Sequence, residues 1–117
     1  MTDFNTAKTK FIASLETDQN IFADTLSFVE TWYDFTPCAF TNGKVKNSED
    51  KNQGSCKTFA LGQALDLTAE QTLQCFGEHY RDVCADPDGA AHGNIRSFMK
   101  NGPVGVSFTN FPLTEKF

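Results

Sequence analysis

The sequence is short of nearly everything that would mark a nucleic-acid binder, a membrane protein or a disulfide-stapled domain. It has two arginines, Arg81 and Arg96, in 117 residues, with a net charge of −5 and a pI near 4.8. Binding to phosphate backbones rests on clustered Lys and Arg, so that balance argues against nucleic acid as a partner. Only residues 41–57 are locally basic, with Lys44, Lys46, Lys51 and Lys57 against Glu49 and Asp50, and this reads as a solvated loop. No window approaches the ~18 apolar residues of a membrane span. The opening "MTDFNTAKTKFIASLETD" lacks the apolar core of a secretory signal peptide. The expectation is a soluble protein, made without a classical export signal and with no membrane association. Its four cysteines contain no CxxC pair, so they read as free thiols in a reducing compartment rather than as a zinc ribbon or a redox motif.

What is present is phenylalanine: twelve, against one Trp and two Tyr, in a chain 39% hydrophobic and 21% charged. That composition and length fit one domain with a phenylalanine-rich core, taken as residues 1–117. Phe4, Phe11, Ile12 and Leu15 share a helical face. A second helix, capped by Asp18 or Asn20, carries Ile21, Phe22, Thr25, Phe28, Val29 and Trp32 at spacings of three and four, and should stop before Pro37. "CAFTNGKVKN" reads as a hairpin over 38–47, turning at Asn42-Gly43 so that Phe40 faces Val45. Ser55 is the expected cap of a helix holding Phe59, Ala60, Ala64 and Leu65. Thr68-x-x-Gln71 has the form of a capping box, and Leu73, Phe76, Tyr80 and Val83 follow on one helical face. "PDG" at 87–89 is a turn, "NIRSFMKNG" a short helix closed by Gly102, and "VGVSF" at 104–108 a strand able to join the hairpin. The expected fold is α+β: a mainly helical single domain of about five helices with a small antiparallel sheet.

"KNQGSCKTFALG" (51–62) brings a glycine-containing loop to Cys56 at a helix start. Helix N-termini lower thiol pKa values and can hold an oxyanion, so Cys56 is a candidate nucleophile. It is not a papain-type one. Lys57 follows where an aromatic is required, and 61 residues remain downstream where that family needs about 130–150 to reach its His and Asn. The alternatives are Cys56 paired with His92 or His79, or Cys56 as a packed core residue. Cys75, His79, Cys84 and His92 do not have zinc-ligand spacing. Asp86 and Asp88 lack the closing Glu of a calcium loop. Asn94 is a candidate cap, and Arg96 a candidate anion or carboxylate partner.

"YDFTPCAFTNG" (33–43), "NQGSCKTFA" (52–60), "TLQCFGEHYRDV" (72–83), "PDGAAHGNIRSFM" (87–99) and "GPVGVSF" (102–108) together resemble the HopJ type III effector family. The resemblance runs from about Phe22 to Leu113. It covers Tyr33, Asp34, Asn42, Asn52, Cys56, Lys57, His92, Asn94 and Arg96, and departs at Cys38, His79, Cys84 and Pro103. It implies an effector or interaction protein made in the bacterial cytoplasm, injected into host cells by type III secretion and meeting a host protein there. It implies no activity, cofactor or metal. Catalytic candidates are Cys56 and His92; binding candidates are Tyr33, Asp34, Asn42, Asn52, Lys57, Asn94 and Arg96. The competing reading is an intracellular enzyme or small-ligand-binding protein built on Cys56 and His92. A monomer is assumed in both.

Overall fold

The computed structural model describes residues 3–17 and 19–117, and the candidate cap Asp18 lies outside them. Helix α1 (Phe4–Ser14) opens on Asp3, whose carboxylate accepts the Thr6 N–H at 2.7 Å. Helix α2 (Phe22–Trp32) starts two residues after Asn20, with Ile21 at the cap position. Asp24 accepts the Ile21 N–H at 3.3 Å and Glu78 accepts the Phe22 N–H at 2.7 Å, so carboxylates from two directions satisfy this helix start. Asn20 serves elsewhere, donating to the Gln74 carbonyl at 2.5 Å.

After α2 the chain forms β1 (Tyr33–Phe35), then the hairpin β2 (Phe40–Asn42) and β3 (Val45–Asn47). Phe40 pairs with Asn47 and Asn42 with Val45. The turn is therefore Gly43-Lys44, one residue later than the expected Asn42-Gly43, and Phe40 does not face Val45. The φ of +61° falls on Gly43 and not on Lys44, the pattern of a II′ turn with glycine at its first central position. Asn42 is excluded from the turn because its side chain is buried in the interior.

Helix α3 (Gln53–Ala64) begins at Asn52, not Ser55, which lies inside the first turn; Ala64 faces solvent. The capping box at Thr68 forms as expected, with Thr68 and Gln71 exchanging bonds of 2.9 and 3.0 Å. It opens α4 (Ala69–Gln74), and the apolar face from Leu73 to Val83 is not one helix. Gly77, at φ +58°, breaks it before α5 (Glu78–Ala85). A Cβ on Gly77 would stand 2.6 Å from the Phe22 nitrogen and 2.7 Å from the Ile21 carbonyl carbon. The start of α2 thus packs directly on the break, and only glycine allows the approach.

Helix α6 (Gly93–Asn101) ends at Gly102, φ +69°. A 3-10 turn (Pro103–Gly105) leads into β4 (Val106–Phe108), which pairs antiparallel with β2 and completes the sheet β3-β2-β4. A further strand, β5 (Leu113–Glu115), pairs with β1. The architecture is α+β and mainly helical, with six α-helices and two small antiparallel sheets among the described residues.

Helix α3 divides the core. Ala60, Leu61 and Leu65 join Phe11, Phe28, Val29 and Tyr33 on one side. Cys56 and Phe59 join Phe40, Phe76, Ile95 and Phe98 on the other. Its six buried residues explain how a helix with weak amphipathicity holds its place: it is buried on two faces, not one.

Candidate functional site

A cleft of about 470 Å³ opens where α2, α3, α5 and α6 meet. Phe22 and Phe76 form its apolar wall, their rings stacked at 5.8 Å. Asn52, Gly54 and Ser55 contribute from the start of α3, His79 from α5, and His92, Gly93 and Asn94 from the start of α6. Neither α3 nor α6 has a side-chain cap or an acidic residue in its first turn. Both helix starts therefore bring partial positive charge to the cleft.

Buried amides hold the two helix starts together. Asn42 donates from Nδ2 to the Asn94 carbonyl (2.7 Å) and to Asn94 Oδ1 (3.2 Å). Asn94 Nδ2 donates to Asn47 Oδ1 at 2.9 Å, and Asn47 Nδ2 returns a bond to Asn94 Oδ1 at 3.3 Å. Asn52 Nδ2 adds a bond to Asn47 Oδ1 at 2.8 Å. The network ties the hairpin to the starts of α3 and α6. Asn52 and His92 accept left-handed backbone at its edge, with φ of 54° and 59°. Asn94 is accordingly the second residue of α6 and a core amide, not a cap.

Cys56 is sealed. It is 0% exposed, among Phe40, Phe59 and Phe76 in the second core cluster. Its sulfur lies 3.8 Å from Cys38 Sγ. Burial first, then the neighbouring Cys38 thiol, push its pKa up to about 12. A nucleophilic thiol needs the reverse on both counts, access and a lowered pKa. The expectation of Cys56 as a nucleophile fails here: the favourable helix N-terminus is outweighed by desolvation. Cys75 is likewise fully buried and pushed up to about 12 by burial.

The remaining candidates separate. Asn52, His92 and Asn94 line the cleft. Tyr33, Asp34 and Lys57 line a different groove with Glu30 and Lys116, where Lys57 Nζ sits 4.8 Å over the Phe35 ring. Asn42 is buried and belongs to the amide network. Arg96 is spent on its own loop, donating from Nε to the Ala91 carbonyl (2.6 Å) and from Nη1 to the Pro87 carbonyl (3.2 Å). It fastens residues 87–91 to α6 and does not line the cleft.

Sequence reasoning missed Asp82. Among the described residues, the grouping of His, Cys, Asp or Glu able to surround one ion is His79, Asp82 and His92, whose ligand atoms lie within 4.8 Å of one another. Cys75 and Cys84, whose spacing already argued against zinc ligation, take no part. His79 and Asp82 share a face of α5 at a spacing of three, a signal that was legible; the approach of His92 was not.

The chain matches the HopJ type III effector protein family over residues 8–113. It is similar to a solved protein described as "Crystal structure of unknown function protein VPA0580", with 43% identity, a TM-score of 0.87, and 92% of each chain covered. A comparison with curated proteins finds no match.

Proposed function

The chain belongs to the HopJ type III effector protein family, and from that premise we propose that it is an effector-like binding module. Type III secretion delivers it, and the cleft between α2, α3, α5 and α6 engages a host protein. The observation that carries this reading is the composition of the cleft: polar side chains and two uncapped helix starts on an aromatic wall. Such a surface offers convergent polar contacts beside apolar area, the combination that recognition sites use. It asks nothing of Cys56. A reporter fusion expressed in a secretion-competent strain tests delivery. The fusion should reach host cells only when the secretion apparatus is intact; retention in the bacterium would refute it.

A second reading has one specific observation in its favour. His79, His92, Asn52 and Asn94 converge on a single concave surface, which suits a small polar ligand as well as a protein segment. In this reading the chain is a ligand-binding protein, and His92 acts without a thiol partner.

A further inference from the structure

We propose that His79, Asp82 and His92 form a binding site for a zinc-like divalent transition-metal ion at the mouth of the cleft. Two imidazoles and one carboxylate are a donor set suited to Zn²⁺ and neighbouring first-row ions, and a poor one for Ca²⁺ or Mg²⁺, which want oxygen throughout. The three ligand atoms already lie within 4.8 Å of one another. Around a tetrahedral ion with bonds of about 2.0–2.1 Å, ligand atoms stand roughly 3.3 Å apart. Rotamer adjustment of three side chains that are exposed or half-buried covers the difference without backbone movement.

Their placement is fixed by features already described. His79 packs edge-on against Phe22, ring centroids 5.2 Å apart, which aims its ring from α5 toward α6. His92 is held in left-handed backbone at the start of α6, bringing its ring centroid 5.1 Å from that of His79. A shared cation bonded by one nitrogen of each ring would hold two imidazoles at that distance. Asp82 follows His79 by three residues on α5 and supplies the negative charge.

Three protein ligands leave a fourth position, as in zinc sites that act on or bind other molecules rather than brace the fold. His79 and His92 both line the cleft, so that position faces it and accepts an oxygen from water or from a bound ligand. This last point rests on the cleft reading; the metal site itself does not.

The test uses the full chain stripped of metal and titrated with Zn²⁺ alone, followed by calorimetry and by thermal unfolding. One ion per chain should bind and raise the melting temperature, with Ca²⁺ and Mg²⁺ doing neither. His79→Phe keeps the contact with Phe22, His92→Asn suits the left-handed backbone, and Asp82→Ala suits a helix. Each should weaken Zn²⁺ at least tenfold while the metal-free protein melts within a few degrees of wild type. Cys84→Ser, which removes the exposed thiol, should bind as wild type. No saturable binding, binding that survives the three substitutions, or loss of binding in Cys84→Ser would overturn the site. For the open position, Co²⁺ is loaded and acetohydroxamate added. A changed visible spectrum is expected; an unchanged one would show a closed site. Because secretion plays no part in these measurements, their failure and a failure of delivery are separate results.

Discussion

Replacing Asn94 by alanine removes the centre of the amide network, and its cost can be worked bond by bond. Three hydrogen bonds go: Asn94 Nδ2 to Asn47 Oδ1, and those from Asn42 and Asn47 to Asn94 Oδ1. Two of the partners keep good alternatives. Asn42 Nδ2 retains the Asn94 main-chain carbonyl at 2.7 Å, and Asn47 Oδ1 retains Asn52 at 2.8 Å. Asn47 Nδ2 does not; it is left with the Phe40 carbonyl at 3.4 Å, in a residue 4% exposed. Two bonds at about 0.5–1.5 kcal/mol each, plus about 1–3 kcal/mol for a stranded buried donor, give roughly 2–6 kcal/mol. Alanine's better helix propensity returns about 0.6 kcal/mol, so a loss of roughly 1.5–5.5 kcal/mol is expected. Urea unfolding followed by the fluorescence of Trp32, the sole tryptophan, measures it. A double-mutant cycle with Asn47→Ala should then show coupling above about 0.5 kcal/mol. A loss under about 1 kcal/mol, or additive effects, would refute the claim that this network holds the helix starts together.

Other outcomes follow from the same geometry. A thiol reagent at pH 7.5 should label Cys84 rapidly, whereas Cys38, Cys56 and Cys75, all buried, should react only on unfolding; fast labelling of Cys56 would restore the nucleophile reading. Gly77→Ala should destabilise by about 2–4 kcal/mol in the same urea assay, since it combines positive φ with a clash against the backbone of Ile21 and Phe22. The Phe22 N–H bond holds the Glu78 pKa below its ordinary 4.5. A depressed carboxylate contributes stability that is present above the unfolded pKa and is lost as pH falls through the folded one. Wild type should therefore lose stability below pH 4.5 more steeply than Glu78→Gln, and equal slopes would contradict that role.

Local chemistry was legible and long-range placement was not. The Thr68 capping box, the Gly102 stop and the strand that joins the hairpin depend on neighbours in sequence or on simple alternation, and they formed. The Asn42-Gly43 turn slipped by one residue because Asn42 answers to Asn94, 52 positions away. The helix through Leu73 and Val83 broke because Gly77 must receive the start of α2, which no local pattern reveals. Strand β5 was missed because its partner, β1, lies far back in the chain. Cys56 sits at a helix start that suits a reactive thiol, but the phenylalanines that bury it come from β2, α3 and the α4–α5 break. Asn52 and Asn94, expected as binding residues, line the cleft, and both also serve the fold through the amide network.

The most direct test of the account is where the protein binds. Gly93 lines the cleft, and a Cβ there meets nothing within 4 Å, so Gly93→Trp should fill the cleft and leave the melting temperature unchanged. Small polar fragments titrated in metal-free buffer, and followed through backbone amide NMR signals, should shift Gly54, Ser55, His79 and residues 93–95 in wild type. Those shifts should disappear in Gly93→Trp. Shifts centred instead on Tyr33, Asp34 and Lys57, or shifts at the cleft that Gly93→Trp leaves intact, would contradict it.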